Sequence, residues 1–171
     1  KLYCRYFDKP WHFHEEYELV LIEQSHGTKF IGDNVSLFNE GELILIGSNI
    51  PHLFRNDEEY YQKNGKLRAS SIFVHFTEDF LGAGFFDLPE MKAVRKLLDN
   101  SHFALQVNGK IRKLVILKLR EMAVQPPALR LLSLMEILIR LSEGRELQPL
   151  LSNDFVARSR AMKTANNPKD T

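Results

Sequence analysis

Between Tyr17 and Phe76 the chain is written in short runs of β-branched, aliphatic and aromatic residues, each closed by a turn signal. Runs of this length are too short for stable helices but long enough for strands. Tyr17–Gln24 (YELVLIEQ) reads as a strand, followed by the turn Ser25-His26-Gly27. Thr28–Ile31 is a second strand, ended by Gly32-Asp33-Asn34, and Val35–Phe38 a third, ended by Asn39-Glu40-Gly41. Leu43–Ile46, His52–Arg55 and Ser70–Phe76 complete the set. Short strands at close, even spacing predict an all-β sandwich or barrel.

The period lengthens after Thr77. Pro89 sits at a helix start, where its missing N–H costs little, and the helix runs to about Leu98. Lys110–Val124 is a second amphipathic helix, and Pro126-Pro127 opens a third that runs to about Ser142 and is stopped by Gly144. The third helix carries two apolar stripes. Leu129, Leu132, Met135 and Ile139 make one; Leu131, Leu134, Leu138 and Leu141 make the other. One core contact needs a single stripe, so the second is expected to meet a partner subunit, with Leu131, Leu134, Leu138 and Leu141 as the candidate homodimer interface. The fold class expected is mainly β plus α: a barrel over residues 1–77, a helical segment over 78–152, and a linker-like tail over 153–171 containing Arg158, Arg160 and Lys163.

The charge balance narrows the function. Against 23 basic side chains stand 22 acidic ones, so nothing in the net charge of +1 favours a phosphate backbone as partner. Lys110, Arg112, Lys113, Lys118 and Arg120 fall on the polar side of the second helix and read as a solvated face. The most apolar stretch, Leu129–Leu141, is broken by Arg130, Glu136 and Arg140, which argues against a membrane span, and Lys1–Val20 does not read as a signal peptide. Cys4 is the single cysteine, in keeping with a reducing cytoplasm. There is no phosphate loop, nucleophile elbow or Cys-based metal motif.

The chemistry concentrates in Trp11-His12-Phe13-His14-Glu15-Glu16-Tyr17-Glu18. In extended chain, alternate side chains share a face, so His12, His14 and Glu18 share parity with Val20 and Ile22. His52, after Ile50-Pro51, begins a later strand that a closed barrel can bring opposite them. Three imidazoles and a carboxylate suit a divalent transition metal: Zn, Ni, Fe or Mn. The same groups can equally line a ligand pocket, hydrogen-bonded to one another, with no cofactor required. Phe30 and Phe54 are candidate pocket walls; Trp11 and Phe76 read as core aromatics. Glu15 and Glu16 read as solvent-facing, and His26, His75 and His102 as ordinary turn or strand residues.

The spacing His-x-His-x-x-x-Glu, then His52-x-x-x-Asn56, resembles the paired motifs of the cupin superfamily, whose metal-binding members ligate through those four positions. The interval from Gly41 to His52 is longer than in the enzymes, and Gly27 is displaced. The run Trp11–Phe54 is similar to the sensor domain of AraC-type transcription regulators: a His-rich start, a Tyr-Glu-Leu strand, the Gly27-Thr28-Lys29-Phe30-Ile31-Gly32-Asp33 hairpin, the Gly41-Glu42-Leu43 strand and the Pro51-His52 step. Asp79–Gly82, Phe85–Glu90 and the leucine-rich helices extend the resemblance over roughly residues 3–152. Ala104 stands where the family often carries Gly.

The resemblance implies a cupin-type jelly-roll barrel binding a small-molecule effector, helices that form a homodimer, and DNA contact only through a helix-turn-helix part lying outside this chain. It implies no enzyme and no catalytic residue. The alternative is a metal-dependent cupin enzyme, a small oxygenase or sugar-modifying isomerase, in which the four ligands leave positions open for substrate. A purely structural dimerisation domain with an empty barrel is the third reading.

Overall fold

The computed structural model describes residues 1–166. Its first element, β1 (Leu2–Cys4), precedes the expected strands, which form as β2 (Tyr17–Gln24), β3 (Gly27–Ile31), β4 (Asn34–Phe38), β5 (Leu43–Ile46), β6 (His52–Asn56) and β7 (Ala69–Phe76). Then follow α1 (Lys92–Asn100), β8 (Leu105–Val107), α2 (Gly109–Met122), α3 (Pro127–Glu143), β9 (Leu147–Pro149) and α4 (Asn153–Asn166). One antiparallel sheet runs β1-β7-β2-β5-β8-β9, and a second runs β4-β3-β6.

Three layers result. Strand β2 is buried on both faces, which is why YELVLIEQ is almost continuously apolar rather than alternating. Its Val20 and Ile22 meet Ile44, Ile46, Ile31 and Phe38 between the two sheets. Its Leu19 and Leu21, with Leu43, Leu45 and Ile72, pack instead against Val94, Leu97 and Leu98 of α1, Val115 and Leu119 of α2, and Ile137 of α3. The two-period pattern thus sends Glu18 to the barrel side and its neighbours to the helices. Among the described residues no helix is long and apolar enough to cross a membrane.

Three expectations need correction. The barrel does not end at residue 77, because β8 pairs with β5 and β9 with β8, extending the main sheet from inside the helical segment. The chain enters β8 through Ala104, at φ +46°, a conformation that favours Gly. The tail is not a linker from residue 153: α4 begins there, and Val156 and Phe155 join the inter-sheet core. Arg158 lies on α4 and is exposed; the side chains of Arg160 and Lys163, and residues 167–171, lie outside the described residues.

The third correction concerns α3. Leu134, Ile137, Leu138 and Leu141 recur at helical spacing and are buried in this chain's own core. Leu134, Leu138 and Leu141 are therefore unavailable to a partner, and only Leu131 of that expected interface is exposed. The opposite stripe faces out through Leu129, Leu132 and Ile139, while Met135 rests partly on the core. The solvated reading of the α2 cations fits their partners: Lys118 pairs with Glu121 and Glu136, and Arg120 donates to Glu23.

Candidate functional site

Residues 11–16 alternate between outward and inward positions, with Trp11, Phe13 and Glu15 exposed and His12, His14 and Glu16 half-buried. Trp11 is thus a surface residue and not a core aromatic. His12 and His52 exchange backbone hydrogen bonds of 3.2 and 2.8 Å in an isolated antiparallel bridge. His14 is fixed by its carbonyl, which accepts from the Asn49 N–H at 2.8 Å; Asn49 sits at φ +60°, a conformation Asn tolerates. Strand β2 brings Glu18 to the same face, and β7 pairs with β2 so that His75 stands directly opposite Glu18.

Five side chains converge. Rings of His12 and His52 lie 4.4 Å apart between centroids, and those of His14 and His52 5.2 Å. Glu18 Oε2 lies 3.3 Å from His14 Nε2 and 3.6 Å from His52 Nε2, and accepts from His75 Nε2 at 2.6 Å. Ligand atoms of His12, His14 and His52 all fall within 4.8 Å of one another, as do those of His14, Glu18 and His75.

The outer nitrogens decide the chemistry. Nδ1 of His12 donates to the Pro10 carbonyl at 2.9 Å, Nδ1 of His14 to Glu16 at 3.0 Å, and Nδ1 of His52 to Ile50 at 2.8 Å. A carbonyl only accepts, so each Nδ1 carries the proton and, in the neutral ring, each Nε2 presents its lone pair. The Nε2 atoms of His14 and His52 then face the Glu18 carboxylate, and His12 groups with these two rings. His52 Nε2 is buried without a hydrogen-bond partner. Such an arrangement calls for a cation at its centre, either a proton or a metal ion. In the absence of metal, the hydrogen bond to Glu18 raises the His14 pKa above its ordinary value, and burial lowers that of His12. Burial alone would push the Glu18 carboxyl up, but the hydrogen bonds of His14 and His75 and the nearby His52 ring outweigh it and hold it well below the usual carboxylate range.

Beside this cluster lies a cavity of about 70 Å³. Its walls include Val20, Ile22, Phe54 and Phe73, with Asp8, Lys9 and Ser71 as polar groups. Phe54 lines it, as expected. Phe30 does not: β3 pairs Lys29 with the inward Phe54, so Phe30 points out of the barrel. Phe76 stacks on Tyr17 on the helix side of the sheet. Asn56 does not face the cluster. Its side chain ties the Phe7 N–H to Ser25 and the His26 carbonyl. His75 is the site residue that sequence reasoning missed. Its signal is the parity Ser71, Phe73, His75, which becomes informative only once β7 is placed beside β2.

A closed inter-sheet core, a polar cluster at one end of a small cavity and helices on the outer face define a cupin-like ligand-binding barrel. The chain belongs to the family of AraC-like ligand binding domains, whose model matches residues 4–155. No curated protein matches it.

Proposed function

We propose that this domain is the effector-sensing and dimerising part of a transcription regulator, and that the effector binds at a divalent metal held by His12, His14, Glu18 and His52. The observation that carries the reading is the set of three Nδ1–H groups tied to carbonyls, while ligand atoms of His12, His14 and His52 lie within 4.8 Å of one another and the Nε2 atoms of His14 and His52 stand 3.3 and 3.6 Å from Glu18 Oε2. Metal-ligating imidazoles are oriented in this way, by a carbonyl or carboxylate on the far nitrogen. The buried, unpartnered His52 Nε2 supports it further, since an orphaned polar atom in a core is costly.

A bound ion would neutralise Glu18 and offer a Lewis-acid position to an oxygen or nitrogen donor of the effector. The chain's own residues do the rest. Val20, Ile22, Phe54 and Phe73 supply apolar contact, and Asp8 and Lys9 supply one charge of each sign at the wall. The cavity of about 70 Å³ opens to solvent, so these walls hold a small part of the effector and the remainder extends outward. In this reading nothing is catalytic. DNA is reached through a helix-turn-helix part of the regulator, and a homodimer forms through the outward stripe of α3. Zn, Ni, Fe and Mn all suit the donor set, and the protein works in the cytoplasm.

Native mass spectrometry of the domain with saturating Zn or Ni tests these points together. The expected result is one metal per chain, two chains per particle and loss of metal in Glu18→Ala. Absence of metal with retained effector binding rejects the metal centre and leaves the sensor reading. Absence of both rejects the site.

A further inference from the structure

We propose that His75 is the positioning residue of the Glu18 carboxylate, a fifth member of the centre outside the four-residue ligand set. The proposal rests on the reading of His12, His14, Glu18 and His52 as metal-holding residues. Glu18 and His75 are register partners on β2 and β7, so their side chains project from adjacent strands onto one face. His75 Nε2–H donates to Glu18 Oε2 at 2.6 Å, whereas the His14 and His52 nitrogens stand at 3.3 and 3.6 Å from the same oxygen.

Those distances separate two roles. With bonds of 2.0–2.2 Å, neighbouring ligands in a tetrahedral shell stand roughly 3.4 Å apart. His14 and His52 stand at about that separation from Glu18. His75 is too close to share an ion with that oxygen and is placed to share a proton with it. The remaining contacts hold its ring in position. It stacks on Phe73 with centroids 5.3 Å apart and planes 29° apart, and its centroid lies 4.7 Å from that of His14. Strand β7 pairs with β2 on both sides of this position, at Tyr17↔Phe76 and Leu19↔Val74, so the backbone carrying His75 is held along the β2 edge.

The consequence is geometric. A glutamate has three rotatable bonds, and without a second anchor Glu18 has to be ordered when the metal arrives. The His75 hydrogen bond selects in advance the rotamer in which Oε2 faces His14 and His52. Carboxylate ligands are commonly hydrogen-bonded in this way, and loss of such a partner typically weakens metal binding about 10- to 100-fold. His75 is one-third exposed at its side chain, so substitution there leaves the core intact.

Co(II) titration of the intact domain, read by its visible absorption bands and by competition with a chelating dye, tests the assignment. The wild type is expected to bind one Co(II). His75→Ala is expected to bind about 10- to 100-fold more weakly with unchanged band positions, because no ligand is lost. His75→Gln, which keeps an N–H donor at a similar reach, is expected to restore affinity to within about threefold of wild type, a rescue that generic destabilisation does not produce. Equal affinity in His75→Ala and wild type overturns the proposal. Shifted bands in both His75 variants also overturn it, by making His75 a ligand. If the wild type binds no Co(II), the metal reading fails and the proposal falls with it.

Discussion

Glutamate placed on the two faces of α3 should give opposite outcomes, and the contrast tests which face meets a partner. Leu138 is 0% exposed among Leu97, Leu98 and Leu141, while Leu132 is 65% exposed. Truncating a buried leucine costs about 2–5 kcal/mol before any charge is added. An unpaired carboxylate in the same place adds several more, against a total stability of about 5–15 kcal/mol for a domain. Leu138→Glu should therefore lose its cooperative thermal transition. Leu132→Glu should cost the folded subunit about 0.5 kcal/mol or less, as surface changes do. In a two-fold dimer the same residue is lost twice. At about 1.5–3 kcal/mol per leucine, Leu132→Glu should raise the dimer dissociation constant at least 100-fold. Sedimentation velocity at high micromolar concentration, paired with circular dichroism, reads both effects. A Leu132→Glu protein that stays dimeric moves the interface away from this face. A folded Leu138→Glu refutes the core assignment, and a wild type that sediments as a monomer refutes the dimer.

Three further outcomes are expected. Zn at about 100 times its dissociation constant adds about 2.7 kcal/mol, raising Tm by about 5–10 °C in calorimetry; Glu18→Ala should abolish that rise. Lys29 and Glu42 form an ion pair buried between the sheets, and Lys29 also donates to the Leu37 carbonyl at 2.9 Å. Lys29→Met should destabilise by about 3–5 kcal/mol in urea, and adding Glu42→Leu should recover much of it, because the cost lies in the stranded carboxylate. The Tyr17 phenol is pushed up to about 12 by burial and by the Glu78 carboxylate. Its folded value lies above its unfolded one, so its contribution is intact below pH 10 and lost as pH rises towards 12. On the order of 2–3 kcal/mol should disappear over that window in wild type but not in Tyr17→Phe, as followed by urea unfolding at each pH.

The strands of the barrel were legible because each carries enough residues to show a period and a turn to end it. The convergence of His12, His14, Glu18 and His52 was legible for the same reason: parity fixes the face, and Pro51 marks where the later strand starts. Strands β8 and β9 have three residues each, too few to show alternation, and they are set by pairing with β5 and with each other. Ala104 gave a hint, since a position that favours Gly marks a backbone turn rather than a plain loop. His75 was invisible because strand register is a property of two segments fifty residues apart. Leucine content could not decide between the stripes of α3, because the deciding partners are α1, α2 and the sheet face carried by Leu19 and Leu21. The α4 segment looked like a tail because its anchors among the described residues, the buried Val156 and the partly buried Phe155, are adjacent and show no helical period.

The layer order also limits how a sensor of this shape can work. An effector changes a regulator only through a difference in its affinity for two conformations, so the site must be mechanically joined to the surface that reports. Here the join is short. Glu18, Val20 and Ile22 of β2 face the cluster and cavity, and Leu19 and Leu21 of the same strand touch the helical layer. Phe73 and His75 line the cavity from β7, whose Ile72 and Phe76 pack on the helix side. No loop intervenes between ligand wall and helix bed. A displacement of β2 or β7 on one face is a displacement on the other, because densely packed interiors transmit strain rather than absorb it. Leu19→Ala and Leu21→Ala sit on that path without touching the cavity. On this reasoning they should leave metal affinity within about threefold of wild type while weakening the linkage between metal and dimer formation, a coupling that is typically 1–3 kcal/mol. Dimer dissociation constants measured with and without Zn, in wild type and in each variant, give that coupling directly. Unchanged linkage in both variants places the transmission outside β2.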